Sequence, residues 1–548
     1  MMRLIFCLTL PAFLTSCTYY LGPNRWENSF NDEPFVVPHK TAVDELPNDN
    51  IFVISKESLA KRAKTKLTTY STKFEDTTLN VRVVYEKLLL GDEIEKVNNT
   101  ILKFKAWGTT GTSSKLNKKG DYDFAQIQFI NLVWYFKDSP EILFPATAEH
   151  IIHHLIIDNG SKNTPKAPKV FGLIRETENH ILMKEISRYL KNQWLFEQDG
   201  LAINNNSVNG MKDFLIEHLT AMKKTGFYEF NANPYLSYTF EALHVLYNHS
   251  KDPELQQLSK EVMDAENWQY ALGSYQLKKY SPFRRRMSRV SISKLYGDRH
   301  GVLIRVELAK SNKQVYSAED LPCCFDRTII TATSAYRLPI QTKAFIDKKP
   351  NSYYAKIGHG LKASPEIYYG TSSYLMSAGG LRFGKRSQIV PRPLSLFLND
   401  DAKDIKDCFH IEGNGKLNNW NNTGVYPGLM VGKHAVHIPS QYHAIDTIRD
   451  WQIYKPYSDK QLFVCVLSQE NLGIIYIGNE NYTDILLMNP LTKRLQTQFS
   501  WNAQETIKYK LSAKRKWVIK KAPSGSSKRK FKKWRRFDID FGEAYSSK

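Results

Sequence analysis

The sequence predicts a multidomain chain, α then β: helical hairpins first, then an antiparallel β-sandwich, then a basic C-terminal tail. Three observations predict this. Long apolar runs at helical spacing follow one another from Phe124 to Tyr275; short, often β-branched runs separated by turn residues replace them after Arg284-Arg285-Arg286; and between Lys514 and Arg536 stand twelve Lys and Arg with no acid. At 548 residues, 42% hydrophobic and 24% charged, the chain can bury a large core and divides naturally into two domains.

The elements justify the division in order. Met1-Met2-Arg3 is followed by an apolar core from Leu4 to Leu14 and by Leu14-Thr15-Ser16-Cys17. A basic start and a short apolar segment read as a secretory signal, too short to span a bilayer. The last four residues resemble a bacterial lipobox, which implies cleavage after residue 16 and a lipid anchor on Cys17. With Thr18 next rather than Asp, the resemblance implies the outer membrane as destination. Residues 17–50 are polar, carry Pro23, Pro34, Pro38 and Pro47, and read as a tether.

Residues 51–290 are expected to form the helical domain. Lys56 to Lys73 is basic and polar, with helix its expected form, and Glu86 to Leu102 has helical spacing. Trp107 to Ser114 is a loop by composition; its Gly108-Thr109-Thr110-Gly111 lacks the Gly-Lys-Ser/Thr ending of a phosphate-binding loop. Phe124–Phe136, Thr147–Ile157, the segment from Ile181 to Leu195, Gly210–Lys224, Tyr235–His249 and Pro253–Tyr275 are predicted helices, paired as stacked hairpins.

Residues 291–510 are expected to form the sandwich, with strands at Val302–Val306, Thr328–Thr333, Tyr368–Met376, Leu462–Leu467, Gly473–Ile477 and Asp484–Leu487. Residues 511–548 read as a flexible basic tail. Once Cys7 and Cys17 are set aside, Cys323, Cys324, Cys408 and Cys465 are too sparse for a disulfide scaffold. Bridging either of the adjacent pair to Cys408 or Cys465 is open, as is plain burial.

The polar groups that stand out are Arg175-Glu176-Thr177-Glu178-Asn179-His180, at the head of a helix with apolar residues at Leu182, Ile186, Tyr189 and Leu190. Thr177 is the expected N-cap, its side chain accepting from a free backbone N–H. Asn179 and His180 then fall side by side in the first turn. Such an order, an Asn-His pair in a helical domain followed about fifty to sixty residues later by a Tyr and then by a β-sandwich, resembles the toroid-type polysaccharide lyases, the alginate lyases and heparinase II/III-like enzymes. Tyr235 stands at that spacing.

The resemblance implies an α/α toroid and β-elimination on an acidic, uronate-containing polysaccharide. It implies catalytic roles for Asn179, His180 and Tyr235, with a sandwich histidine lent to the cleft. His359, between Gly358 and Gly360, is preferred over His434 and His437. Arg175, Glu178, Asn231, Arg284 and Arg285 are the substrate-binding candidates. Asn179 and His180 would act as neutral donors to the carboxylate as its charge grows, and Tyr235 as proton carrier. Where alginate lyases place positive residues beside the Tyr, this chain has Glu229 and Asn231.

Two other functions fit the same residues. The scaffold can bind an envelope glycan without cleaving it, or Glu176, Glu178 and Glu229 can supply the acid and base of a glycoside hydrolase. No cofactor is implied. Glu149-His150-Ile151-Ile152-His153-His154 places His at i and i+4 but lacks the metalloprotease Glu and a third ligand, so no metal is expected. The net charge of +21 attracts acidic partners. The tail, with Trp517, Phe531 and Trp534, suits lipopolysaccharide or another anionic surface better than nucleic acid in a lipid-anchored protein.

Overall fold

The computed structural model describes residues 54–71, 76–113, 117–161, 176–227, 229–232, 235–280, 294–296, 298–312, 328–358, 366–379, 394–411, 423–432, 435–470, 472–479, 482–487, 506–510, 516–520 and 537–540. Cys17, Arg175, Arg284, Arg285, Cys323, Cys324, His359 and His434 lie outside them.

Helices come first: α1 (Lys56–Ala63), a small hairpin of β1 (Thr68–Ser71) and β2 (Asp76–Leu79), then α2 (Val81–Leu90), α3 (Ile94–Leu102), α4 (Asp123–Tyr135) and α5 (Pro145–His150). The last continues as a wider π-type turn over Ile151–Leu155. Next are α6 (Glu178–Asp199), α7 (Met211–Thr225), α8 (Leu236–His249), α9 (Pro253–Gly273), α10 (Arg299–Asn312), α11 (Ile329–Thr333) and α12 (Ile340–Asp347). The predicted helix over Glu86–Leu102 is two, because Gly91 takes φ +68° and ends α2 with a left-handed residue. Asp252 starts α9 by accepting from Glu254 N and Leu255 N, with Pro253 behind it where its missing N–H costs nothing.

α6 and α8 run parallel. Near the end of α6, Gln193 Nε2 donates to His249 O at the end of α8, while at the other end Glu178 accepts the backbone N–H of Glu229, ahead of α8. Their heads therefore share one face of the helical domain. A continuous apolar core from α1 to α11 holds this arrangement together.

Two six-stranded antiparallel sheets follow. The first contains β3 (Tyr353–Ile357), β4 (Glu366–Gly370), β5 (Tyr374–Gly379), β6 (Leu394–Leu398) and β7 (His410–Ile411). The second contains β8 (Thr423–Tyr426), β9 (Leu429–Gly432), β10 (Asp446–Ile448), β11 (Trp451–Tyr454), β12 (Phe463–Gln469) and β13 (Leu472–Gly478), in the order β10-β11-β12-β13-β9-β8. Strand alternation sorts their side chains into layers. Tyr368, Leu375 and Phe397 join Trp268, Leu272 and Phe345 of the helical part. Their neighbours Ile367, Met376 and Leu396 face Val464, Val466 and Ile475 of the second sheet. Cys465, Leu467 and Ile474 point to the far side, where α13 (Tyr482–Leu487) covers them with Leu486. The first sheet is thus buried on both faces, the arrangement of a sandwich with helices laid on it.

Several expectations are corrected. Val302–Val306, Thr328–Thr333 and Asp484–Leu487 are helical, in α10, α11 and α13, so the change from helix to strand falls between Asp347 and Tyr353 and not near residue 290. α10 is buried on every side from Gly301 to Ala309. Even Arg305 and Glu307 are buried there, so its polar residues mark no outer face and the segment reads like a strand. Tyr368–Met376 belongs to two strands joined by a turn at 371–373. Nor is the C-terminal segment all tail: β14 (Thr506–Lys510) pairs with β15 (Lys516–Lys520), and β16 (Phe537–Asp540) completes the first sheet on the edge of β3. Cys408 and Cys465 are buried free thiols, each with its pKa pushed up by burial; their candidate partners Cys323 and Cys324 lie outside the described residues. No helix among the described residues is long and apolar enough to cross a membrane.

Candidate functional site

Thr177 occupies the cap position of α6, and its backbone carbonyl accepts from Ile181 N at 3.1 Å. Its hydroxyl does not cap. It donates instead to Asn179 Oδ1 at 2.5 Å, which fixes the orientation of the Asn179 amide. Asn179 Nδ2 is left buried with no partner among the described residues. An unpaired buried donor costs about 1–3 kcal/mol, so this amide is a strained feature of the fold unless something accepts from it.

Beside it, His180 is 4% exposed and its Nδ1 lies 2.7 Å from Asp123 Oδ2, on a fully buried carboxylate. Burial pulls the imidazole pKa down, and the N-terminal end of a helix is a poor place for a cation. The charge and hydrogen bond of Asp123, with Glu176 and Asp121 nearby, outweigh this and raise it to about 9. His180 is therefore an imidazolium at neutral pH, and both ring nitrogens are donors. The expectation of a neutral His180 is corrected: a buried acid one helix away, in the first turn of α4, supplies the countercharge.

The loop before α4 is built around the same acids. The N–H of Gly111 donates to Asp123 Oδ1 at 3.1 Å, that of Thr112 to Glu176 Oε1 at 3.1 Å and that of Ser113 to Asp121 Oδ1 at 2.8 Å. Thr112 Oγ1 adds a 2.6 Å bond to Glu176. The plain loop expected around Gly108–Gly111 is thus a cradle of three successive backbone donors, each on a different carboxylate. The only sequence sign of it was two aspartates spaced by one residue at the start of a helix, Asp121 and Asp123.

On the other side of His180, the Phe124 ring meets the imidazole edge-on at 5.2 Å and Tyr238 at 4.3 Å. Arg82 covers the Tyr238 ring at 5.6 Å while paired with Glu241 at 3.1 Å. Tyr235, half-buried, is the cap residue of α8, at the same end of the helical domain as Asn179 and His180.

The segment that leads to Tyr235 is fastened from two directions. Glu178 Oε1 accepts Glu229 N at 2.7 Å. Asn231, at φ +52°, donates through Nδ2 to Glu366 Oε1 of β4 at 2.5 Å and accepts at Oδ1 from Lys279 at 3.2 Å. Glu366 is fully buried and also accepts from Gln269 at 3.2 Å and from the Tyr368 hydroxyl. Glu178 and Asn231, expected to touch substrate, have these polar ends engaged by the protein. Among the described residues no group of His, Cys, Asp and Glu could hold a metal ion. His150 Nε2 bonds Phe104 O at 2.8 Å and His153 pairs with Glu149 at 3.1 Å.

The structure thus brings Asn179, His180 and the Tyr235 segment to one end of the helical domain, and ties that end to the sheet through Asn231 and Glu366. No known family model matches the chain, and no curated protein matches it. Among solved structures it is similar to a heparinase III with methylated lysines, at 8% sequence identity and a TM-score of 0.34, over 86% of this chain and 92% of that one. A likeness that loose carries no inference about this chain.

Proposed function

We propose that this chain is a polysaccharide lyase that cleaves an acidic, uronate-containing polymer by β-elimination at the head of α6, in a helical domain of toroid form. One observation carries the proposal: Asp123 holds His180 as a buried imidazolium beside the Asn179 amide, whose Nδ2 has no partner among the described residues, in one helical turn. Two fixed donors in a poorly solvated place suit a carboxylate that gains charge during the reaction.

In the elimination a base removes the proton on the carbon α to the uronate carboxylate. The electron pair moves toward that carboxylate, forming an enolate-like intermediate, and then expels the 4-linked sugar oxygen, which takes up a proton as the double bond forms. His180, already protonated, is excluded as the base and serves as electrostatic stabiliser together with Asn179. Tyr235 is assigned the proton transfer. Arg175, Arg284, Arg285 and His359 remain assigned to substrate or cleft by their place in the sequence. The chemistry is proposed to take place in the cell envelope, anchored through Cys17 at the outer membrane, with the basic run from Lys514 to Arg536 against lipopolysaccharide or a similar anionic surface.

The test is release of unsaturated uronate ends, followed by ultraviolet absorbance, from a panel of acidic polysaccharides. Loss of one such donor lowers turnover about a hundred- to a thousandfold, or about 2.7–4 kcal/mol, so Asn179→Ala and His180→Ala should nearly silence the enzyme while substrate still binds. A second reading keeps the scaffold but not the chemistry: Asn179 and His180, at 1% and 4% exposure, present little surface to a reacting sugar, and the chain binds an envelope glycan elsewhere on its surface without cleaving it. Wild-type binding without product would establish that reading. Hydrolytic products that depend on Glu178 or Glu229 would establish a glycosidase.

A further inference from the structure

α9 runs alongside β4 and contacts both ends of it. Gln269 meets Glu366 at the start of the strand, a Cβ on Gly273 would stand 2.6 Å from the Tyr368 ring, and just past the helix Tyr275 OH donates to Ser372 O at 3.0 Å in the turn after β4. The Tyr275 end lies about 13 Å along the strand from Glu366 at an ordinary rise per residue. Here several loops converge on one carboxylate. Buried Lys278 donates to Asp400 Oδ1 at 2.9 Å and to Leu398 O at 2.8 Å. Tyr442 OH donates to Asp400 Oδ2 at 2.9 Å. Tyr457 OH accepts from Asn399 N at 2.5 Å and donates to Ser373 O at 3.1 Å.

The hydroxyls of Tyr442 and Tyr457 are thus tied inward while both residues stay half-buried. Tyr442 lies with one face stacked on Phe409 at 5.1 Å and 22°, which leaves the opposite face without an aromatic partner among the described residues. The ammonium of Lys460 stands 4.7 Å from the Tyr457 ring centre. Exposed Gln276 and Asn399, bonded to each other, and Gln441 and Ser458, next to Tyr442 and Tyr457 in the chain, supply amides and a hydroxyl nearby. Tyrosine rings give rigid, amphipathic contact area at low conformational cost, and amides and hydroxyls give adaptable hydrogen bonds. A pyranose has the matching chemistry, with C–H groups on its faces and hydroxyls at its rim. Because the ring hydroxyls are already bonded, little is left to order on binding.

We propose that this surface is a glycan-binding subsite, separate from the head of α6, in which a pyranose unit of an acidic polysaccharide stacks on the accessible part of the Tyr442 ring and its carboxylate or sulfate pairs with Lys460. The acidic class of the polymer rests on the lyase reading; the subsite itself rests on the tyrosine cluster.

Affinity electrophoresis of the full chain in gels containing alginate, heparin or polygalacturonate tests it. Tyr442→Ala and Lys460→Glu should each weaken retardation by at least about fivefold, as expected of a contact residue that matters. Tyr442→Phe, which keeps the ring and loses only the bond to Asp400, should bind within about twofold of wild type, as a ring that acts by stacking requires. If Tyr442→Ala melts early, Lys460→Glu decides alone, being a change at a solvent-reachable side chain. Variants that bind like wild type, or a wild-type protein retarded by none of the polymers, would overturn the subsite. A wild-type protein that yields no unsaturated product, while Lys460→Glu still loses affinity, would remove the lyase reading and keep the subsite.

Discussion

Replacing Asp123 by Asn tests the electrostatic heart of the candidate site. In the folded protein the His180 pKa stands at about 9 against an ordinary 6.5, with burial opposing the rise and Asp123 the foremost cause of it. At 1.36 kcal/mol per pKa unit that difference corresponds to about 3 kcal/mol of folding stability. The sign follows from the raised value: the stabilisation is complete below pH 6.5 and disappears as pH rises from 6.5 through about 9. Asn at 123 can still accept from Gly111 N and can donate to a neutral His180, so the local geometry is conserved while the countercharge is gone. Burial then dominates and pushes His180 below 6.5. Urea denaturation between pH 5.5 and 9.5 should show wild type losing about 3 kcal/mol across the alkaline half. Asp123→Asn should lack that loss and weaken on acidification instead. An imidazole titration by NMR gives the same answer at one residue. A wild-type His180 midpoint near 6.5, or identical pH profiles for the two proteins, would refute the imidazolium and with it the charge-stabilising role.

The remaining predictions are simpler. Removing residues 537–548 takes β16 from the edge of β3 and should promote self-association, measured by light scattering, because an unpaired strand edge is a template for another chain; a monomeric truncated protein of unchanged melting temperature would show β16 to be dispensable. Glu366→Ala leaves Asn231 Nδ2 without its buried acceptor and should cost about 1–3 kcal/mol in urea denaturation, with a fall in turnover if the Tyr235 segment is thereby released. Asp252→Ala should cost about 1 kcal/mol by removing the cap of α9. Mass spectrometry of the N-terminal peptide should find an acylated Cys17, and an unmodified N-terminus elsewhere would remove the lipid anchor.

Helices with marked termini were legible in the sequence. α7, α8 and α9 lie within a residue or two of their predicted limits, since Gly210 and Gly226 bracket α7 and Asp252-Pro253 opens α9 just after α8. The helix heads of the site were legible to the same depth: Asn179 and His180 do head a helix, and Tyr235 does head another. What could not be read was the partner of each polar group. Asp123 is 57 residues from His180 and Glu366 is 135 from Asn231, and no local pattern announces contacts at such separations. A cap preference also cannot foresee that the Thr177 hydroxyl would donate to Asn179 Oδ1 and make no cap to a backbone N–H. Elements buried on every side, such as α10, lose the periodicity by which helix is told from strand.

The pairing of β16 with β3 has a consequence in time. About 180 residues of chain separate the two strands, which at ordinary rates of synthesis is on the order of ten seconds or more. Throughout that interval β3 lacks its partner on that edge, and any sheet formed early carries an open strand edge. A chain interrupted anywhere in those residues would keep the edge open for good, so completion of the sheet and completion of the chain are the same event.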